Sequence, residues 1–265
     1  MQFYLDTANV EYIRNLWPKL KAAGINGNQI RGVTTNPNAM DKIHAHTLPQ
    51  WKETVLELKE LIDEIRGDKL GEIHVQFPKS KEATTDFLQK FRDYFGIPVI
   101  IKVPPYTWAY DNFKWSTNVT GLTDAGTMLA CTNTACVSYV SIIPGRMEAC
   151  EIWDAKEHIA YAASMMPANK HIITGSLRTP AQCLEYSNLA TYPTIGEKVF
   201  DIATEEDLKE WASVNIPEVH FSHRTCPEIT DEHASMTTEF FETMDELGKH
   251  AFTDFEESLK CEIQQ

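Results

Sequence analysis

Lys102 sits inside an apolar run, Pro98-Val-Ile-Ile-Lys102-Val-Pro-Pro105. Such a run reads as a buried β-strand. Burial disfavours the ammonium form and lowers a lysine's pKa. A lysine placed there is either neutralised by a partner or used as an amine nucleophile that forms a Schiff base with carbonyl substrates. The bland alternative is a side chain that snorkels out of the strand end.

Other strand-like runs must bring partners to this amine. Eight are present: Phe3–Asp6, Gln29–Thr35, Glu72–Phe77, Val99–Val103, Thr117–Thr120, Val137–Ile143, His171–Leu177 and Leu189–Tyr192. Helical patterns lie between them, for example Val10–Ala23, Gln50–Ile65, Lys81–Tyr94, Asp124–Thr134 and Glu148–Met165. This alternation predicts an α/β fold, a (β/α)8 barrel of the TIM type over residues 1–202. An open doubly wound sheet is the runner-up, but no Gly-rich dinucleotide turn follows the first strand.

Barrel enzymes build their sites at the carboxyl ends of the strands. Here those ends are polar: Asp6, Thr35-Asn36, Gln76, Lys102, Asn118 with Thr120, Ser141, and Ser176 with Arg178. Alternation along a strand places Ile100, Lys102 and Pro104 on one face, Tyr4 with Asp6 on another, and Asn118 with Thr120 on a third. It also groups Thr174, Ser176 and Arg178, leaving Ile173, Gly175 and Leu177 for the helix side. Asp6 has a competing reading as a cap of the first helix. Arg146 and Arg178 have one as partners of surplus carboxylates.

The fourth crossover is short and aromatic, with Tyr106, Trp108, Tyr110, Phe113 and Trp115 between two prolines and the fifth strand. It reads as packing in place of a helix, or as a wall over the site. Residues 203–265 are expected to form C-terminal helices, Ala203–Val214 and Thr230–Leu259. The latter carries an apolar stripe that packs on the barrel or on a neighbouring subunit.

The chain has 265 residues, 43% of them hydrophobic, enough for a large core. A net charge of -14 argues against nucleic acid or an anionic membrane as the main partner. No run reads as a membrane span or a signal peptide. Six scattered cysteines fit a reduced, cytoplasmic protein. His44 with His46, and His220 with His223 and Cys226, lack a complete zinc-site spacing, so no metal is expected.

Six segments, in order, are Leu5-Asp-Thr-Ala-Asn9, Gly32-Val-Thr-Thr-Asn-Pro37, Ile101-Lys-Val-Pro104, Thr117-Asn-Val-Thr120, Tyr139-Val-Ser-Ile-Ile-Pro-Gly-Arg146 and Gly175-Ser-Leu-Arg178. Together they resemble the signature segments of the transaldolase family, in particular its short branch with the fructose-6-phosphate aldolases. The resemblance spans residues 1 to about 200. It implies a cofactor-free and metal-free class I aldol mechanism in pentose-phosphate carbohydrate metabolism, in a homo-oligomer. Lys102 matches the Schiff-base lysine and Asp6 the acid/base. Gln76 matches the residue that works through the catalytic water, and Thr120 the hydroxyl that helps position that water. Thr35, Asn36, Asn118 and Ser141 match contacts to substrate hydroxyls. Arg146, Ser176 and Arg178 match the phosphate end, where paired guanidinium forks suit an anionic head group.

Two positions depart from the branches. Transaldolases carry a glutamate where this chain has Gln76. The aldolases carry a tyrosine where it has Ile143. The expected substrate is a sugar phosphate, or a sugar sulfonate with the same head-group chemistry. The expected activity is transfer or cleavage of a dihydroxyacetone unit. Alternatives are fructose-6-phosphate-aldolase-like or sulfosugar transaldolase activity, and a non-catalytic sugar-phosphate binder.

Overall fold

The computed structural model describes residues 1–68, 70–105, 112–189, 191–214 and 225–262. Eight parallel strands close into one barrel in chain order. They are β1 (Phe3–Asp6), β2 (Ile30–Thr34), β3 (Glu72–Gln76), β4 (Ile100–Val103), β5 (Thr117–Leu122), β6 (Val137–Ile142), β7 (His171–Thr174) and β8 (Tyr192–Gly196). The expected (β/α)8 architecture is present. Its helices are α1 (Val10–Ala22), α2 (Pro37–Lys42), α3 (Leu48–Arg66), α4 (Thr85–Tyr94), α5 (Ala125–Thr132), α6 (Pro144–Ala149), α7 (Ala155–Met165), α8 (Pro180–Ser187), α9 (Glu197–Ile202), α10 (Glu205–Ser213) and α11 (Asp231–Glu262).

Local chemistry sets the helix ends. Asn9 caps α1 through the Tyr12 amide, so Asp6 is released from the capping role. Thr47 and Gln50 form a capping box on α3, which ends at Gly67 in the left-handed region (φ 73°). Thr179 and Gln182 do the same for α8.

Two apolar layers follow from strand alternation. Phe3, Leu5, Val33, Ile73, Val75, Ile101, Val103, Val119 and Val140 face outward into the main core beneath the helices. Tyr4, Tyr139 and Ile173 form a smaller cluster inside the barrel, with Ile100 and Tyr192 against it.

Four expectations change. The eighth strand is Tyr192–Gly196, not Leu189–Tyr192. Pro193 lacks an N–H and reads as a strand breaker. It is tolerated because its pairing is with Thr174 of β7, while the ladder to β1 begins at Thr194.

On β7 the expected faces are reversed. Ile173 pairs with Ser141 in the inward register and lines the barrel, while Thr174 contacts Thr191. The strand ends at Thr174, and Ser176 takes a left-handed φ of 58°. Counting by twos back from Ser176 therefore gives the wrong parity.

The Glu148–Met165 pattern splits into α6 and α7. Pro144 starts the first helix early, and Glu151, at φ 64°, ends it. Finally, Lys81–Tyr94 begins as a short 3-10 turn, Ser80–Glu82, before α4.

The aromatic crossover is described in part: Tyr106, Trp108 and Tyr110 lie outside the described residues, as do His220 and His223. Phe113 is buried in the main core. Trp115 donates to Gln89 at 2.9 Å and stacks on Arg92. This end of the crossover packs on α4 rather than walling the site. No helix among the described residues is long and apolar enough to cross a membrane.

Helix α11 packs on its own barrel. Gly248 allows its backbone to touch Pro78, since a Cβ there would lie 2.2 Å from the Pro78 carbonyl oxygen. Asp245 accepts from the Ser80 amide and hydroxyl at 2.6 and 2.7 Å. Phe252 and Phe255 join Phe77, Phe87 and Phe91 in an edge-to-face cluster.

Candidate active site

Lys102 is 6% exposed, at the carboxyl end of β4. Its Nζ donates to the Thr35 carbonyl at 3.2 Å. Burial lowers its pKa below the ordinary 10.5, and the charge of Asp6 opposes that shift. A share of neutral amine at moderate pH is what a carbonyl nucleophile requires.

Adjacent strands set its flanks. Gln76 stands beside Lys102 on β3, and Asn118 beside it on β5. The Gln76 side chain is buried, and its Oε1 has no donor among the described residues. Asn118 is fully buried and accepts the Ser141 hydroxyl at 2.8 Å.

Asp6, Asn36, Lys102, Thr120, Ser141 and Ser176 all border one inner cavity of about 40 Å³. That volume holds a water or two, not a sugar. It opens toward an outer cleft of about 530 Å³, whose lining includes Asp6, Asn36, Arg146, Ser176 and Arg178. The outer volume is in the range of small-molecule sites. Asp6, Asn36 and Ser176 border both spaces, so they form the neck.

The neck residues have defined polarity. Asn36 caps α2, its Oδ1 accepting from Ala39 N at 2.9 Å, which leaves the amide N–H groups as donors. Asp6 Oδ1 accepts from the Thr34 hydroxyl at 2.9 Å, and Thr34 lies 2.6 Å from the Thr194 hydroxyl. Because Thr34 has one proton and gives it to Asp6, Thr194 donates to Thr34. This relay from β8 through β2 orients the Asp6 carboxylate.

Arg146 reaches Glu239 of α11 at 3.7 Å. Arg178 is exposed, and no carboxylate lies within ion-pair distance of it among the described residues. The loop carrying Ser176 is pressed on α6, where a Cβ at Gly145 would lie 2.0 Å from the Ser176 carbonyl oxygen. That close approach sets Ser176 near Arg146.

No family model matches the chain. It is 30% identical to a probable transaldolase of Aquifex aeolicus (strain VF5) over 232 residues, which is 81% of this chain and 98% of the relative. A probable transaldolase of Brevibacillus brevis is 28% identical over 234 residues, 81% of this chain and 99% of that one. One of Thermodesulfovibrio yellowstonii is 28% identical over 238 residues, 80% and 98% respectively. This chain belongs to the transaldolase family.

Against that family, three expected residues, Thr35, Gln76 and Asn118, border neither the inner cavity nor the outer cleft. The Thr35 hydroxyl donates to the His74 carbonyl at 3.2 Å, so this residue serves Lys102 through its backbone instead. Asn118, the register partner of Lys102, is fully buried and touches the cavity residue Ser141 through its Oδ1.

Thr34, Thr194, Ile173 and Phe240 line the inner cavity and were not singled out from the sequence. Alternation from Gly32 would have found Thr34. Thr194 and Ile173 were hidden by the displaced eighth strand and the reversed seventh. Phe240, a member of the α11 stripe, borders both spaces and roofs the neck. It reaches that position over Gly121, whose φ is 72° and where a Cβ would lie 2.7 Å from the Phe240 ring.

Away from the barrel mouth, Asp154, His158 and His233 bring potential ligand atoms within 4.8 Å of one another. Main-chain N–H groups of Ala125 and Thr230 donate to Nδ1 of the two histidines at 3.1 and 3.0 Å. Each neutral ring therefore carries its proton on Nε2, facing Asp154 at 3.4 and 3.2 Å. A metal would need those nitrogens as lone pairs. The arrangement fits a carboxylate hydrogen-bonded by His233, with His158 Nε2 nearby but without a hydrogen bond of its own, where the starts of α5, α7 and α11 meet.

Proposed function

We propose that this transaldolase-family protein is a class I, Schiff-base enzyme that transfers or cleaves a dihydroxyacetone unit of an anionic ketose. The observation that carries the proposal is the buried Lys102 amine, depressed in pKa, at the base of a neck bordered by Asp6 and leading to Arg146 and Arg178. The Nζ lone pair adds to the C2 ketone, and loss of water leaves an iminium. Asp6 takes the C4 hydroxyl proton. The C3–C4 bond breaks, its electrons enter the iminium, and the aldehyde departs. The resulting enamine is captured by a second aldehyde in transfer or by a proton in cleavage, and water then releases the ketone from Lys102.

Gln76 bears on the water steps. Its amide offers the free Oε1 as an acceptor that can orient water, but it cannot remove a proton as a carboxylate does. This slows the water steps, which transfer and cleavage share.

The substrate head group would lie in the outer cleft, with charged hydrogen bonds from Arg146 and Arg178. Phosphate and sulfonate satisfy the same donors. The test is borohydride reduction in the presence of fructose 6-phosphate, with a sulfonated ketose in parallel. An adduct on Lys102, lost in Lys102→Ala, is expected. Binding of either sugar with no adduct would return the protein to a non-catalytic sugar binder.

A further inference from the structure

A hydrogen-bonded chain descends from the site through the barrel interior. Ser141 Oγ lies 2.8 Å from Asn118 Oδ1, Asn118 Nδ2 lies 3.1 Å from His74 Nδ1, and His74 Nε2 lies 3.3 Å from Glu72 Oε2. His74 and Asn118 are fully buried. Glu72 is itself held by Tyr4 at 2.5 Å, Tyr139 at 2.9 Å and Arg31 at 3.2 Å. Arg31 reaches it from a bulge in β2, where Phe3 pairs with Ile30 and Tyr4 with Gly32.

The chain has one direction. An ionised carboxylate only accepts, so His74 must place its proton on Nε2. The Nδ1 lone pair then requires a donor, which is the amide nitrogen of Asn118. That turns Asn118 Oδ1 toward Ser141, and the Ser141 proton goes to it. Ser141 therefore faces the inner cavity with its oxygen lone pairs, as an acceptor for a substrate hydroxyl. The opposite tautomer of His74 would set its Nε2 lone pair against the Glu72 carboxylate, breaking that link, and would reverse the other two and turn Ser141 into a donor.

We infer that His74, oriented by Glu72, is a positioning residue of the active centre that fixes the Asn118 amide and thereby makes Ser141 an acceptor. The inference rests on the Schiff-base reading of Lys102. Burial lowers the His74 pKa against the pull of Glu72, which favours the neutral ring the hydrogen-bond chain requires. A purely structural role would be met by ring packing, since His74 also contacts Tyr4 and Tyr139 edge-on, both at 4.9 Å between centroids.

The experiment compares His74→Phe with His74→Asn in the full chain, using fructose 6-phosphate. Phenylalanine keeps the ring contacts but has no acceptor. Asparagine presents Oδ1 near the former Nδ1 and can take the Asn118 N–H. We expect His74→Phe to lower kcat on the order of 10²-fold, as for a misplaced catalytic geometry. KM should move little, and the borohydride-trapped fraction at Lys102 should rise. His74→Asn should restore most of kcat. Equal kcat for wild type and His74→Phe, or no recovery in His74→Asn, would overturn the inference while leaving the Lys102 adduct intact. Absence of the adduct in the wild type would instead remove the Schiff-base reading beneath it. Should His74→Phe fail to fold, nitrogen NMR of the wild-type imidazole decides: protonated Nε2 is expected, and protonated Nδ1 would sink the chain.

Discussion

Arg146 and Glu239 face each other at 3.7 Å, so the last helix lends a carboxylate to the cationic side of the cleft. Glu239 is largely exposed, and a pair of this kind contributes about 1 kcal/mol or less. An anionic substrate must displace it. Glu239→Gln is therefore expected to lower KM for a phosphorylated ketose by up to roughly fivefold with kcat unchanged. Raising the salt concentration should shrink the difference. Steady-state kinetics at two ionic strengths check it, and an unchanged KM would place the head group elsewhere.

Lys102→Met should abolish the borohydride adduct and stabilise the fold. The buried amine has a folded pKa below 10.5, so between that value and 10.5 the unfolded chain binds more protons. Stability from this site is lost as pH falls through the folded pKa. The gain in Tm of Lys102→Met should thus be largest below the folded pKa and vanish toward pH 10.5. In the wild type, the rate of adduct formation should rise with pH and level off before 10.5. Melting curves and single-turnover trapping across pH measure both.

Gln76→Glu places a carboxylate beside Lys102, where the free amide oxygen now lies. Turnover should rise because a base becomes available to the water steps, and, as transaldolases carry glutamate at this position, transfer to an added aldehyde should rise relative to cleavage. The added charge should also raise the Lys102 pKa and shift the rising limb of the rate profile to higher pH. An unchanged product ratio would show that this position does not govern the partition.

Glu72→Gln should blunt acid unfolding. Burial works to raise the Glu72 pKa, but the hydrogen bonds from His74 and Tyr4 and the charge of Arg31 prevail and hold it at about 2, below its ordinary 4.5. Its contribution is complete above 4.5 and is lost as pH falls toward 2. Urea unfolding between pH 5 and roughly pH 2 should be steeper in pH for the wild type than for the variant. Parallel curves would discount the network.

Phe240→Ala should widen the neck above the small inner cavity. Adduct formation with bulky ketoses should speed up, while stability falls by about 3–5 kcal/mol, as for a buried aromatic removed from a core. Stopped-flow trapping and thermal unfolding separate the two effects. A slower adduct would mean that Phe240 helps seat the substrate.

Much of the barrel was legible because its strands are short apolar runs with polar ends. Lys102, Asp6 and Thr120 face inward as alternation requires; Lys102 and Asp6 lie in regular stretches of strand, and Thr120 keeps its parity because the β5 irregularity at Gly121 comes after it. Legibility failed where regularity failed. Ser176 lies past its strand in a left-handed conformation, which inverted the parity of Ile173 and Thr174. Pro193 disguised β8 and hid Thr194. Phe240 belongs to a helical stripe that local pattern marks as core, and only tertiary packing brings it over the neck. The link from Glu72 to Asn118 spans two strands, and no spacing in the chain announces it.

Gly121 ties the width of the entrance to one atom. Its left-handed backbone and bare Cα are what let the Phe240 and Phe241 rings settle on β5. A one-carbon change there would lift the roof while leaving Lys102, Asp6 and both arginines untouched. Under the proposed sugar chemistry, that is a short evolutionary step toward a substrate of another size. Substrate size can drift through a residue that carries no chemistry, while the reaction itself stays under separate selection.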